Sequence, residues 1–163
     1  MDARSHGPRH DDDDPGVANV AAADQHAGTW AVLLPLTSRG SRASSATALA
    51  KPSADEICAR VLESLRDTTR ESLRRGWCLA VHVGVDDDDE VLGRDGGGGV
   101  AECAHRVLGR ANVTVRTHVF DAALGRGAIC AYWRTLALAA FEDGADMAVL
   151  LGDDVLLRTA DWM

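Results

Sequence analysis

The chain has 163 residues with 46% hydrophobic content, enough apolar material for one core and hardly for two, so one folded domain is expected. Its 17 basic and 25 acidic residues leave a net charge of −8, which argues against a broad nucleic-acid or anionic-membrane surface and makes any polyanionic ligand dependent on a counter-cation. No apolar stretch approaches the ~20 residues of a membrane span, and the N-terminus lacks the apolar core of a secretory signal, so the chain is expected to be soluble, and cytoplasmic by default.

Residues 1–28 carry six aspartates and two arginines among Gly, Ala, His and Pro without periodicity, the composition of a disordered tail. Asp11 to Asp14 have neither the turn glycine nor the distant closing ligand of an EF-hand loop. "TWAVLLPL" (29–36) reads as a short apolar strand ended by Pro35, which cannot donate to a central ladder. A loop, "TSRGSRASS", follows at the strand's C-terminal end. Ser53 and Glu56 form a capping box, and Ile57, Val61, Leu65 and Leu73 mark one face of a helix that Gly76 closes. "WCLAVHVGV" (77–85) is a second strand running into Asp86 to Asp89.

"GGGGVA" (96–101) reads as a flexible linker, and "VAECAHRVL" (100–108) as a short helix. "NVTVRTHVF" (112–120) alternates Val113, Val115, Thr117 and Val119 with Thr114, Arg116 and His118, the pattern of a half-exposed edge strand. "AICAYWRTLALAAFEDG" (128–144) is a helix ended by Gly144, and "ADMAVLLG" (145–152) a last strand, apolar throughout and expected inside the sheet. His82, mid-strand, and Trp133, mid-helix, are expected in the core. Cys58, Cys78, Cys103 and Cys130 are too far apart for a CxxC knuckle, and each sits in an apolar periodic segment; all four are expected to be buried free thiols.

The order β-α-β-α-β-α-β predicts an α/β fold with a Rossmann-like, mostly parallel sheet and helices on both faces. Ligands of such sheets gather at the C-terminal ends of the strands. Three of those ends are chemically rich: Thr37, Ser38 and Arg39 after the first strand, Asp86 to Asp89 after the second, and Asp153 and Asp154 after the fourth. The glycine runs "GGGGVA" and "GRGAIC" lack the strand context and acidic partner of a dinucleotide fingerprint, and a P-loop, a GxSxG elbow and a HExxH helix are absent. The Gly-Asp-Asp triplet of polymerases would need a basic channel and a far longer chain.

The succession "LLPLTSRG", a helix, "VHVGVDDDDE", a helix with Tyr132, Trp133 and Arg134, "FEDGADMAVLLGDDV" and "TADWM" resembles the nucleotide-sugar-binding half of the GT-A glycosyltransferases over residues 29–163. The resemblance implies a strand order of 3-2-1-4, a UDP- or GDP-type sugar donor, an unknown acceptor, and Mn²⁺ or Mg²⁺ bridging the donor diphosphate. The family's acidic motif stands here as Gly152-Asp153-Asp154, with glycine in place of the first acid. By the family pattern Asp154 is the metal ligand and Asp153 a supporting contact. Thr37 and Arg39 are candidates for the base and ribose, Asp86 for the nucleobase, and Arg126 for phosphate, its guanidinium fork suiting that group.

The chemistry is consistent with this, because a leaving diphosphate gains negative charge and a hard divalent cation accepts carboxylate and phosphate oxygens together. Each candidate also has a plain reading as a solvated turn or surface residue. Two functions therefore stay open: a metal-dependent glycosyltransferase, or its donor-binding fragment, and a non-catalytic α/β nucleotide-binding domain or degenerate relative. The chain extends only to Met163, whereas the family's acceptor residues follow the metal motif. Nucleotide binding is accordingly expected to exceed sugar transfer, and a Golgi placement follows if the chain is a fragment.

Overall fold

The computed structural model describes residues 27–38, 53–93, 97–121, 128–153, 155–160 and 162–163. Four parallel strands, β1 (Gly28–Leu36), β2 (Trp77–Asp86), β3 (Val113–Phe120) and β4 (Met147–Leu150), form one sheet in the order β3-β2-β1-β4. The helices α1 (Ala54–Arg74), α2 (Gly98–Leu108) and α3 (Ile129–Glu142) connect them in sequence. This is the expected Rossmann-like arrangement.

Both faces of the central strands are apolar, as a sheet covered on each side requires. Val32, Leu34 and Leu36 of β1 and Leu79, Val81, Val83 and Val85 of β2 pack with Ile57, Val61, Leu62 and Leu65 of α1 and Val100, Cys103 and Leu108 of α2. The opposite face is thinner: Ala31, Leu33 and Ala80 meet Leu136 and Ala140 of α3. Small residues on this side let α3 approach β1 and β2 closely.

Local signals fix the helix ends. Ser53 accepts from the Glu56 N–H at 3.2 Å while Glu56 Oε2 accepts from the Ser53 N–H at 2.7 Å, the reciprocal bonds of a capping box. Gly76 (φ 89°) and Gly144 (φ 83°) turn the chain off α1 and α3, as expected. The segment after β4 folds back along α1. There Trp162 Nε1 donates to Thr68 Oγ1 at 3.1 Å and its ring meets Trp30 edge-on.

Five expectations are corrected. Pro35 does not end β1, which continues to Leu36 opposite Val85. The odd-numbered residues of β1 turn their backbone groups toward β4: Asp146 N–H donates to Thr29 O and Leu151 N–H to Leu33 O. Since β4 has ended its pairing at Leu150, Pro35 lacks its N–H where no ladder partner stands. Gly98 and Gly99 belong to α2 rather than to a linker; Gly97 precedes them in a left-handed conformation (φ 78°), where a Cβ would lie 2.9 Å from Thr117 Cγ2.

The run 145–152 does not lie inside the described sheet. β4 is the outer strand, and Met147 and Leu150, on opposite faces of the sheet, are 52% and 51% exposed; α3 lies over β1 and β2 and leaves Leu150 uncovered. Val119 is exposed while Phe120 is buried, so the alternation of β3 breaks at its end, where Phe120 stacks on Tyr132 of α3. Finally, Cys58 and Cys103 are buried free thiols, but Cys78 is half-buried and Cys130 exposed. Cys130 lies in the first turn of α3, which is exposed.

Candidate functional site

The strands point their C-terminal ends at one rim, and three of the candidate residues meet there. Thr37 follows β1, Asp86 ends β2, and Asp153 follows β4 by way of Gly152. From β1 the chain crosses first toward β2 and β3, then returns to place β4 on the other side of β1. The strand order therefore reverses between β1 and β4, which is the kind of switch point where open α/β sheets bind ligands. At that seam the Thr37 N–H donates to Asp153 Oδ2 at 3.4 Å, a long bond. Arg60, in the second turn of α1, reaches the Asp153 carbonyl with Nη2 at 3.5 Å.

The neighbouring seam, between β1 and β2, is closed by a residue that the sequence reading passed over. Asp89 is 2% exposed. Its Oδ2 accepts from the Ser38 N–H at 2.7 Å, and its Oδ1 from Ser38 Oγ at 2.6 Å, Val91 N–H at 3.0 Å and Leu92 N–H at 2.9 Å. Burial alone would raise the pKa of this carboxyl, yet the hydrogen bonds from Ser38, Leu92 and Val91 outweigh it and hold Asp89 below the ordinary aspartate value. The bonds to Val91 and Leu92 form an Asx turn, and Gly93 completes the loop by packing against β2's end: a Cβ there would lie 2.2 Å from the Asp86 carbonyl oxygen. An aspartate two residues before an apolar pair and glycine, Asp89-Glu90-Val91-Leu92-Gly93, was the available signal; the run of five acids from Asp86 to Glu90 obscured it.

Asp86 is half-buried, and its carbonyl accepts from the Asp89 N–H at 3.2 Å. The next residue, Asp87, donates its N–H to the Phe120 carbonyl at 2.9 Å and so extends the β2–β3 pairing onto the rim. Thr37, Asp86 and Asp153 are thus brought to one edge of the sheet. Arg39, Arg126 and Asp154 lie outside the described residues. His82 and Trp133 are away from the rim, on the α3 side of the sheet; His82 is buried and Trp133 packs against the apolar cluster there.

Among the described residues no group of three His, Cys, Asp or Glu side chains surrounds a common cation point. The rim's oxygen donors nevertheless suit a hard divalent ion, which characteristically takes one or two carboxylates and completes its shell with phosphate oxygens and water. A concavity of about 560 Å³ lies at the other end of the sheet, lined by Cys78, Ala80, Thr114, Arg116 and Asp143. Its guanidinium and carboxylate already pair with each other at 2.7 Å, and it is far from the switch point, so the rim is the better candidate.

Among the described residues no helix is long and apolar enough to cross a membrane. Compared with known proteins, the chain matches no family model, no curated protein and no solved structure.

Proposed function

We propose that the chain is a GT-A-type donor-binding domain, in which the rim between β1 and β4 receives a UDP- or GDP-linked sugar for transfer to an acceptor. The observation that carries this reading is the switch point itself: the Thr37 backbone and the Asp153 carboxylate meet across the seam where the strand order reverses. In this reading Asp154 holds Mn²⁺ or Mg²⁺, and Asp153 orients the ribose or braces the loop. Thr37 and Arg39 border the base and ribose, Asp86 the nucleobase, and Arg126 the phosphates. The described rim carries Asp86, Asp87, Asp88, Asp89, Glu90 and Asp153, so a diphosphate needs a counter-charge. The cation supplies that charge and stabilises the diphosphate as it leaves.

The test is calorimetric titration of UDP and GDP, with and without Mn²⁺, into wild type, Asp154→Ala and Asp153→Ala, with circular dichroism to verify folding. Wild type is expected to bind only with the metal, and Asp154→Ala not to bind at all. Asp153→Ala should weaken binding roughly tenfold to a hundredfold, the value of one charge-assisted hydrogen bond. Metal-independent binding of equal strength in wild type and Asp154→Ala removes the cation from the mechanism. Metal-dependent nucleotide binding without hydrolysis or transfer of the donor sugar leaves the second function, a nucleotide-binding domain.

A further inference from the structure

The face of the sheet beneath α3 contains a polar chain that the rim does not use. His82, in the middle of β2, has a side chain 1% exposed. Its Nδ1 lies 3.1 Å from Nε2 of His118 on β3, and the rings are 5.3 Å apart at their centroids, 21° from parallel. Its Nε2 lies 3.6 Å from Oδ2 of Asp143, the residue that caps the C-terminus of α3. The same carboxylate oxygen accepts from Arg116 Nε of β3 at 2.7 Å. The charged and titratable groups acting on His82 are therefore His118 and Arg116 from β3 and Asp143 from α3, while β1 contributes only Ala31 and Leu33 to the cluster on this face.

Two neutral imidazoles at this distance need one donor and one acceptor between them. Asp143 decides which is which, because its carboxylate favours the His82 proton on Nε2 and leaves Nδ1 as the acceptor. His118 then donates through Nε2–H. A first added proton enters at His118 Nδ1, on the far side of the ring, and the bond between the rings survives. A second must enter at His82 Nδ1, where it confronts the His118 N–H head-on and places a second cation beside Arg116 with Asp143 as the facing carboxylate. His118 sits half-buried on the edge strand and has a path to solvent; His82 has none.

We propose that His82 and His118 form an acid-released latch joining the edge strand β3 to the buried face under the C-terminal end of α3: closed with the pair neutral or singly protonated, and open when both rings are charged. Burial first, and then the charge of His118, lower the pKa of His82; burial and Arg116 lower that of His118; Asp143 opposes both shifts. With both folded-state values below the ordinary 6.5, the open or unfolded chain binds more protons as pH falls. The latch's stability is thus complete above about pH 6.5 and is lost as pH drops through the lowered values.

The test is long-range ¹H–¹⁵N NMR of the imidazoles in the full chain from pH 7.5 to 5.0, with thermal melting of wild type and His118→Gln. At pH 7.5, His82 is expected to be protonated at Nε2 and bare at Nδ1. On acidification His118 should titrate first, and amide protection of β3 should fall by roughly tenfold or more with the second step. The wild-type melting temperature should drop by about 5 °C across this range. His118→Gln still offers an N–H to His82 Nδ1 but takes no proton, so it should fold at neutral pH and lose less than half as much. Equal acid losses in the two proteins, or independent titration of the rings, would overturn the latch. So would a shift of both imidazole spectra on adding one equivalent of Zn²⁺ at pH 7.5, which would make the pair a metal site. His82→Gln serves as a second variant: if it folds it should show the same reduced acid loss, and a full wild-type loss would count against the latch.

Discussion

The two seams flanking β1 at the rim are built from the same residue types and finished differently. Between β1 and β2, Asp89 is buried and each of its oxygens is taken by donors of the protein itself, with the bonds to Ser38 as short as 2.6 and 2.7 Å. Between β1 and β4, Asp153 is half-exposed and the Thr37 bond that spans the seam measures 3.4 Å. The difference separates two settings for an aspartate at a strand end: Asp89 is buried and fastens loops to each other, whereas Asp153 stands partly in solvent, where the proposed function puts the ligand. Acidity alone does not distinguish them. Burial does.

The largest expected effect lies at the fastened seam. Asp89→Ala removes a buried carboxylate and strands the Ser38, Val91 and Leu92 N–H groups, so a loss of about 3 kcal/mol or more in urea unfolding is expected. Asp89→Asn retains one acceptor oxygen and should lose less. The pH dependence has a definite sign: Asp89 is held below its ordinary value of 3.8, so its contribution is present above pH 3.8 and disappears as pH falls through the lowered folded value. The asparagine variant should lack that acid limb. If Asp89→Ala unfolds at the wild-type urea midpoint, the seam is not fastened by this carboxylate.

How much of this could be read in advance depends on sequence separation. The capping box of α1 spans three residues and the glycine ends of α1 and α3 are local, so both were legible. The alternation of Thr114, Arg116 and His118 with valines announced a half-covered strand, and the order of elements gave the sheet. Ser38 and Asp89, by contrast, are 51 residues apart and His82 and His118 are 36 apart. Periodicity assigns a residue to a face but not to a neighbour across the ladder: β2 and β3 pair His82 with Arg116, which makes His118 its diagonal neighbour, and that register follows from packing alone. Pro35 misled for a related reason, since its cost depends on which strand its missing N–H would have faced.

At the other seam a smaller effect is expected. Asp153→Ala, at a half-exposed position, should change the unfolding free energy by about 1 kcal/mol or less, while changing nucleotide binding as proposed above. That split sharpens the contrast with Asp89, whose loss should register in stability first. A loss of more than about 2 kcal/mol at Asp153 would erase the contrast and assign both carboxylates to the fold.

The smallest effect in stability tests whether the contrast extends from the rim to the sheet's outer strands. On the side of α3, β3 presents Thr114, Arg116 and His118 and ends its pairing in the stacked Phe120, whereas β4 presents Ala148 and Leu150, both exposed. β3 thus has the composition of an edge that stays in water, and β4 that of an interior strand in an outer position. An exposed apolar edge is prone to pair with another strand, and a lysine there blocks the approach. Leu150→Lys should leave the unfolding free energy within about 0.5 kcal/mol of wild type and reduce any concentration-dependent association seen by sedimentation velocity. Thr114→Lys, the matching change on β3, should alter neither. If Leu150→Lys instead destabilises the chain strongly, Leu150 is packed rather than exposed, and β4 is an interior strand in solution.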